Sequence, residues 1–143
     1  MHTMKFLIKK NIFFLLFTFS FLFTTAQWYD PDKVNKKACD IYGQAYEEAT
    51  SGNYTAAMRH INESILLEPK FVDAFLSRAG IYANLKKYDS SVIDFEKALQ
   101  LDSAYSKTYL LPYSISLAGI GKFELALEAV TKFLTNDKLN SQS

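Results

Sequence analysis

The chain has little cysteine and little histidine. Of its 143 residues one is a cysteine, Cys39, and two are histidines. A single cysteine cannot form a disulfide within the chain, so the fold must be held by its core. We expect Cys39 to be a half-buried helical residue, with an intermolecular disulfide as the alternative. Beyond the first 26 residues His60 has no second histidine or cysteine beside which to bind a metal ion, and we predict no metal site.

Glycine-rich loops and catalytic motifs are also missing. The five glycines are scattered, so they form no loop that would cradle a phosphate group. Nothing around His60 has the local signature of a nucleophile, and we expect this imidazole to lie on a solvent-exposed face. The adjacent acids Glu47 and Glu48 point in different directions on a helix. We predict no cofactor and no enzyme activity; an enzyme would depend on His60.

Charge of one sign is not in excess. The chain has 16 basic and 15 acidic side chains. Three of the basic ones lie in the first 26 residues, which leaves 13 against 15. Because no basic block is present, nucleic acid and anionic membrane surfaces are not expected partners.

The longest apolar run lies near the beginning of the sequence. Three lysines precede the apolar stretch 12–23, and small residues follow it up to Ala26. This order is typical of a secretory signal that is cleaved before Gln27. The strongly apolar part is shorter than the roughly 20 residues of a membrane helix, and an uncleaved anchor is the alternative. We predict export to the periplasm or cell envelope, with 1–26 as the signal and membrane contact only through it.

The rest of the sequence repeats itself at a shift of 34 residues, and a third copy follows at a shift of 35. Each copy has apolar residues at helical spacing on both sides of a short turn. Small residues that would let paired helices approach closely recur at two places in each copy: Ala45 and Ala57, Ala79 and Ser91, Ser114 and Ala126. Bulky residues at a third place are expected to fill the space between pairs: Ile61, Phe95 and Val130.

Proline and glycine predict where the helices begin and end. Gly52 and Gly121 can take the positive φ that closes a helix, and Pro69 stops another helix. The cap-like sequence Asp-Pro-Asp predicts that the first helix begins near Pro31 and is longer than its counterparts. Pro112 requires either a helix that begins just before it, with the proline in the first turn, or a kinked helix.

These residues resemble the tetratricopeptide repeat from about Ala38 to Phe133. The resemblance implies an all-α fold in which three tandem helix–turn–helix repeats form a right-handed superhelical solenoid. Glu48 departs from the pattern, because Tyr82 and Leu117 fill this place in the other copies. We therefore expect the first repeat to be exposed or end-capping. The predicted parts are a lead-in with the start of the first helix at 27–37, repeats at about 38–71, 72–105 and 106–136 within a domain at 38–136, and a polar tail at 137–143.

In the tetratricopeptide family the first helices of successive pairs line a concave groove that binds segments of partner proteins. The resemblance implies that this groove is apolar and aromatic here, with these candidate residues: Tyr42, Tyr46, Thr50, Asp73, Leu76, Gly80, Asn84, Thr108, Leu111 and Ile115. Chaperone-binding members clamp a C-terminal carboxylate with Lys, Arg and Asn, and that clamp is absent here, so we expect no preference for an acidic peptide tail. The alternative is that the tyrosines pack on each other or on the segment 27–29.

The predicted function is that of a non-catalytic adaptor of the bacterial cell envelope, which binds a protein or peptide partner. Binding would use the groove or an open C-terminal end near Leu125, Val130 and Phe133. The alternative is a self-associating structural subunit, a homo-oligomer joined through that end. The chain is also similar to the front segment of larger bacterial OmpA-like envelope proteins, so a stand-alone adaptor and a shortened relative both stay open.

Overall fold

The computed structural model describes residues 29–140, and the surroundings of side chains up to residue 135. The predicted signal at 1–26 and the end of the predicted tail lie outside the described residues. The described part folds into six main helices: α1 (Lys36–Thr50), α2 (Tyr54–Leu67), α3 (Val72–Asn84), α4 (Tyr88–Leu101), α5 (Leu110–Gly119) and α6 (Phe123–Asn140). Three shorter helical turns are Pro31–Lys33, Ser103–Ser106 and Lys107–Tyr109.

The helices pack as successive pairs along the chain. The closest packing joins α1 to α2, α3 to α4 and α5 to α6. The second helix of one pair then contacts the first helix of the next, α2 against α3 and α4 against α5. No strand occurs within the described residues. The predicted all-α architecture of three stacked helical pairs is therefore confirmed.

The first helix begins later than predicted. The side chain of Asp30 accepts a hydrogen bond from the backbone N–H of Asp32, but it caps only the short turn Pro31–Lys33. The cap of α1 is Asn35, whose side-chain oxygen accepts from the backbone N–H groups of Lys37 and Ala38. Two caps in succession separate the turn from the helix, because Val34 takes an extended backbone between them. The prediction of a start near Pro31 is wrong.

The turn within each pair has the same backbone form in all three copies. Gly52 and Gly121 have φ angles of 81° and 78°, and Lys86 has the equivalent value of 57°. A Schellman-type hydrogen bond of 2.8–2.9 Å then returns to the ending helix in each turn. The predicted turn glycines are confirmed, and Lys86 holds a left-handed conformation that costs a side-chain-bearing residue on the order of 1 kcal/mol.

Pro112 lies in the first turn of α5, so the first of its two alternatives is confirmed. The preceding residues 103–109 form a helical turn followed by a 3-10 turn. A proline has no N–H to donate to the carbonyl four residues earlier. At the start of a helix the missing N–H costs little, because a backbone N–H there would have no helical partner in any case.

The predicted packing residues lie in the core. The small residues at the two repeated places are all buried, and Ile61 and Phe95 are each only 1% exposed. Ser91 keeps its hydroxyl satisfied by donating to the carbonyl of Ala79 at 2.9 Å. Small side chains at these places allow close helix contact, and the bulky ones fill the gap between pairs. Val130, the third bulky residue, is only half-buried.

Candidate protein-binding surface

A cavity of about 230 Å³ lies between α1 and α3. Five of the predicted groove residues line it: Tyr42, Tyr46, Thr50, Gly80 and Asn84. None of the side chains that line this cavity carries a charge. An uncharged concave surface with a few hydroxyl and amide groups suits an apolar or neutral polar side chain of a partner.

Tyr42 and Tyr46 of α1 form one side of this cavity, and they differ in their contacts and their solvent exposure. The hydroxyl of Tyr42 lies 2.6 Å from Oγ of Ser77, and its ring lies 4.9 Å from the ring of Phe71. Burial raises the pKa of Tyr42, so its hydroxyl stays protonated. Tyr46 is 59% exposed. The cavity thus has a fixed aromatic wall at Tyr42 and a free aromatic ring at Tyr46.

Gly80 opens the α3 side of the cavity. A Cβ added at this glycine would meet no atom within 4 Å. The open space at Gly80 allows a partner's backbone to approach helix α3 closely.

Leu76 does not line the surface, and its assignment to the groove is wrong. It is only 3% exposed and packs in one cluster with Phe75, Ala79 and Phe95. Because α3 is covered on two sides by neighbouring pairs, more of its circumference is buried than a single apolar stripe would predict. Cys39 is half-buried in α1, as predicted.

Asp73 joins the lead-in segment to the turn Ser103–Ser106 that follows α4. Its carboxylate accepts hydrogen bonds from the hydroxyl of Tyr29 at 2.7 Å and from the hydroxyl of Tyr105 at 2.8 Å. The two tyrosine rings contact each other edge to face, with 4.8 Å between centroids. The backbone N–H of Tyr29 also donates to Asp102 at 2.7 Å. At this end of the groove the lead-in therefore packs on the repeats through Tyr29, whereas Tyr42 contacts Ser77 and Phe71.

Sequence reasoning missed Tyr105 and Asp102. Asp102 caps the helical turn after α4 by accepting from the N–H of Tyr105 at 2.8 Å. An Asp followed by Ser-Ala-Tyr is a recognisable cap signal, so the turn itself could have been predicted. Its contact with Tyr29 could not, because 73 residues separate the two partners.

The third pair contributes exposed apolar side chains beside this cluster. Leu111 and Ile115 of α5 are 41% and 57% exposed, and Tyr109 is 39% exposed. Thr108, which the sequence assigned to the groove, is exposed in the 3-10 turn before α5. Tyr109 was missed because the 3-10 turn changes the helical register that the sequence pattern assumed.

A family model described as "Tetratricopeptide repeat" matches residues 72–105. Over 105 residues the chain is 30% identical to the small glutamine-rich tetratricopeptide repeat-containing protein 2 of Saccharomyces cerevisiae, and the match covers 73% of this chain and 30% of that protein. Over 119 residues it is 31% identical to the Hsp70-Hsp90 organizing protein 2 of Arabidopsis thaliana, and the match covers 81% of this chain and 19% of that protein. The chain thus spans less than a third of these relatives.

Two solved structures share the arrangement of helices. The N-terminal domain of stress-induced protein-1 (STI-1) from C. elegans superposes with a TM-score of 0.64 at 16% identity, over 72% of this chain and 86% of that domain. MamA superposes with a TM-score of 0.67 at 16% identity, over 74% and 61% of the two chains. The fold is a tetratricopeptide-repeat solenoid.

The first helical pair departs from the repeat pattern at Glu48, and the contact of this side chain with His60 accounts for the departure. Oε2 of Glu48 lies 2.8 Å from Nδ1 of His60, so the two side chains join α1 to α2. The His60 side chain is only 13% exposed. The expectation of a solvent-exposed His60 is wrong, because Glu48 replaces the apolar residue of the other copies and supplies a hydrogen-bond partner inside the pair.

The last helix of the solenoid carries an exposed apolar face. Exposed fractions on this face are 65% for Phe123, 69% for Leu127 and 51% for Leu134, and Leu125 is 46% exposed on the opposite side of the helix. Phe133 is half-buried. Helix α6 continues through residues 137–140, which the sequence assigned to a polar tail. The exposed residues extend along several turns of the helix.

Two kinds of site are not found among the described residues. No group of three or more His, Cys, Asp or Glu side chains is arranged to hold a metal ion in this part of the chain. Among the helices that the structure describes, none combines the length and the apolar character needed to cross a membrane.

Proposed function

We propose that this chain is a non-catalytic protein-binding module that holds a partner segment in the groove formed by α1, α3 and α5. One observation carries the proposal: Tyr46, Tyr109, Leu111 and Ile115 are exposed on the first-helix side of the solenoid. Exposed apolar clusters on folded proteins commonly mark binding sites. Tyrosine suits such a surface, because its rigid ring gives contact area at low entropic cost and its hydroxyl finds a partner.

The place of action that we propose is the cell envelope, after export. The support comes from the lysine-led apolar stretch in residues 1–26, which lies outside the described residues. An adaptor in this setting would hold a second envelope or periplasmic protein. The similarity to repeat segments of larger envelope proteins supports the same setting as an analogy of fold.

The names of some relatives suggest a class of partner. The plant relatives are named as organizing proteins of Hsp70 and Hsp90. For this chain we propose protein binding without that specificity, because the cavity between α1 and α3 is lined by uncharged residues. The chemistry of the cavity favours a neutral segment there over an acidic tail.

Site-specific crosslinking tests the groove proposal. A photoreactive amino acid at position 46 is expected to capture a partner in the native envelope, whereas the same group at position 66 is not. Leu66 is the matched control, because it is 82% exposed on the second helix α2. Equal capture of one protein from both positions would contradict groove binding.

Two glycine variants sharpen the crosslinking result. Gly80→Ala adds a methyl group that points into the cavity, and it is expected to weaken capture at position 46 by roughly tenfold, about 1.4 kcal/mol. Gly43→Ala is the control, because Gly43 also lies inside a helix with no atom within 4 Å of an added Cβ, but it does not line the cavity. Each variant should itself stabilise its helix by about 0.5–1 kcal/mol, so weaker capture cannot come from unfolding.

Self-association through α6 is the second candidate function. The exposed face that includes Phe123, Leu127 and Leu134 favours it. Sedimentation velocity on the wild type should then show a concentration-dependent dimer that Leu127→Glu abolishes. Leu127 is preferred to Phe133 for this test because Phe133 is half-buried and its replacement would disturb folding. A monomer at high concentration would exclude this candidate.

A further inference from the structure

The carboxylate of Asp73 makes no salt bridge within the described residues, and the same holds for Glu96, which accepts a hydrogen bond from the hydroxyl of Tyr113 at 3.2 Å. Four acids in the described residues are paired with a basic group or histidine: Asp30 with Lys33, Glu48 with His60, Asp94 with Arg78 and Glu128 with Lys132. Asp73 accepts only the two neutral hydroxyl groups of Tyr29 and Tyr105. Its negative charge is therefore hydrogen-bonded but not neutralised by an ion pair among the described residues.

Tyrosines lie near this charge, and the hydroxyl groups of two of them are hydrogen-bonded to it. The pKa values of Tyr42 and Tyr109 are raised, first by burial and also by the negative charge of Asp73. Burial and the hydrogen bond to Asp73 raise the pKa of Tyr105 in the same way. All of these phenols stay neutral near pH 7. The carboxylate thus has aromatic rings around it, and Tyr105 and Tyr109 are also 37% and 39% exposed.

This combination is the chemistry of a site for an organic cation. A carboxylate attracts a lysine or arginine side chain, and the faces of tyrosine rings add cation–π attraction. A metal ion is a poor candidate, because Asp73 belongs to no cluster of three potential ligands in the part of the chain that the structure describes. A carboxylate-bearing ligand is disfavoured by the like charge of Asp73.

Asp102 does not offer an equivalent site. It is 9% exposed, and its oxygens accept from the backbone N–H groups of Tyr29 and Tyr105. Backbone hydrogen bonds hold the pKa of Asp102 below its usual range. Its charge therefore serves to fix the lead-in and the helical turn, whereas Asp73 is half-exposed at the groove.

We propose that Asp73 and the tyrosines around it bind a lysine or arginine side chain of the partner segment. The uncharged cavity between α1 and α3 takes a neutral side chain of the same segment. This inference rests on the proposed function and names the chemistry of its ligand. The partner is thus a basic segment with neutral neighbours, opposite in charge to an acidic tail.

Three blocked peptides test the charge preference. Their sequence is Gly-Ser-Leu-Xaa-Leu-Ser-Gly, with Arg, Gln or Glu at Xaa, and binding to the purified protein is followed by NMR shifts of backbone amides. The Arg peptide is expected to bind about tenfold more tightly than the Gln peptide. The shifts should centre on Asp73 and Tyr109, and the preference should weaken as salt is raised.

Three variants separate binding from structural roles. Asp73→Asn is expected to abolish the preference for Arg over Gln. Asp40→Asn removes an exposed carboxylate of α1 that, like Asp73, lies close enough to Cys39 to raise the pKa of its thiol. This change should leave the preference unchanged. Tyr105→Phe removes one hydrogen bond to Asp73 but keeps its charge, and should also keep the preference. Equal loss in Asp40→Asn would reveal a general field effect, and equal loss in Tyr105→Phe would reveal a structural role; either result overturns the inference.

The peptide results also separate this inference from the proposed function. Equal binding of the Arg and Gln peptides at the groove overturns the cation site and leaves groove binding intact. Tighter binding of the Glu peptide overturns the cation site and the predicted indifference to acidic tails. If no peptide shifts the amides of Tyr46 or Ile115, both the cation site and groove binding fail.

Discussion

Replacing Phe95 by alanine is expected to lower the free energy of unfolding by about 3–5 kcal/mol. Phe95 is 1% exposed and packs in one cluster with Val72, Leu76 and Ala98. The centroid of its ring also lies 5.9 Å from the ring centroid of Tyr113 in α5, so Phe95 joins the second helical pair to the third. Removal of the ring leaves a cavity between two helical pairs, and that cavity cannot close unless whole helices move.

Chemical denaturation followed by circular dichroism measures this loss. The matched control is Ile93→Ala on the same helix, because Ile93 is 64% exposed, and it should change stability by no more than about 0.5 kcal/mol. Since a domain of this kind has a total stability of roughly 5–15 kcal/mol, the Phe95 variant should be partly unfolded at moderate temperature. A loss below 1 kcal/mol would show that the interface between these pairs does not hold the fold together.

Arg78→Met is expected to cost about 2–4 kcal/mol, the second large effect. Nε and Nη2 of Arg78 donate to the two carboxylate oxygens of Asp94 at 2.7 and 2.8 Å, and Nη1 donates to Asn62 at 2.7 Å. The Asp94 side chain is only 5% exposed. Removing the guanidinium therefore leaves a buried carboxylate without a cation, and the solvent exposure of Arg78 keeps the cost below that of a fully buried pair.

A double variant isolates the cause of this loss. Arg78→Met/Asp94→Leu removes both charges and should recover most of the stability, because a buried ion pair and an apolar pair of similar size are nearly equivalent. Lys132→Met provides a surface comparison: Lys132 pairs with Glu128 at 2.6 Å, but both side chains are more than half exposed. That change should alter the stability far less than Arg78→Met does, because solvent screens an exposed ion pair. No recovery in the double variant would assign the loss to the contact between the Arg78 guanidinium and the ring of Phe75.

The repeat architecture was predictable because its signals are local. The period of the small residues identifies the two packing positions of each pair, and all six are buried. Gly52 and Gly121 mark turns because few other residues accept a positive φ. Lys86 shows the limit of such signals: its backbone matches the glycines, and the packing of α3 on α4 imposes that conformation on a residue that does not prefer it.

The candidate surface was predictable only in part. Tyr42, Tyr46 and Gly80, which the resemblance to the tetratricopeptide family placed in the groove, line one cavity. Leu76 lies on the same helix but is buried, since α3 has neighbours on more than one side. Tyr29 and Tyr105 meet at Asp73 from segments far apart in the chain. No local pattern encodes a contact between side chains separated by 44 and 32 residues.

By itself, the sequence determined that this protein is an all-α stack of three helical pairs, where its turns lie and which small residues meet inside each pair. Those features depend on backbone preference and on a hydrophobic period, and both act over a few residues. The tertiary structure decided where α1 begins, that His60 is held by Glu48, that Arg78 neutralises Asp94 and that Asp73 meets two tyrosine hydroxyl groups. These depend on which side chains the stacked pairs bring within hydrogen-bond distance, and packing of whole helices sets those distances.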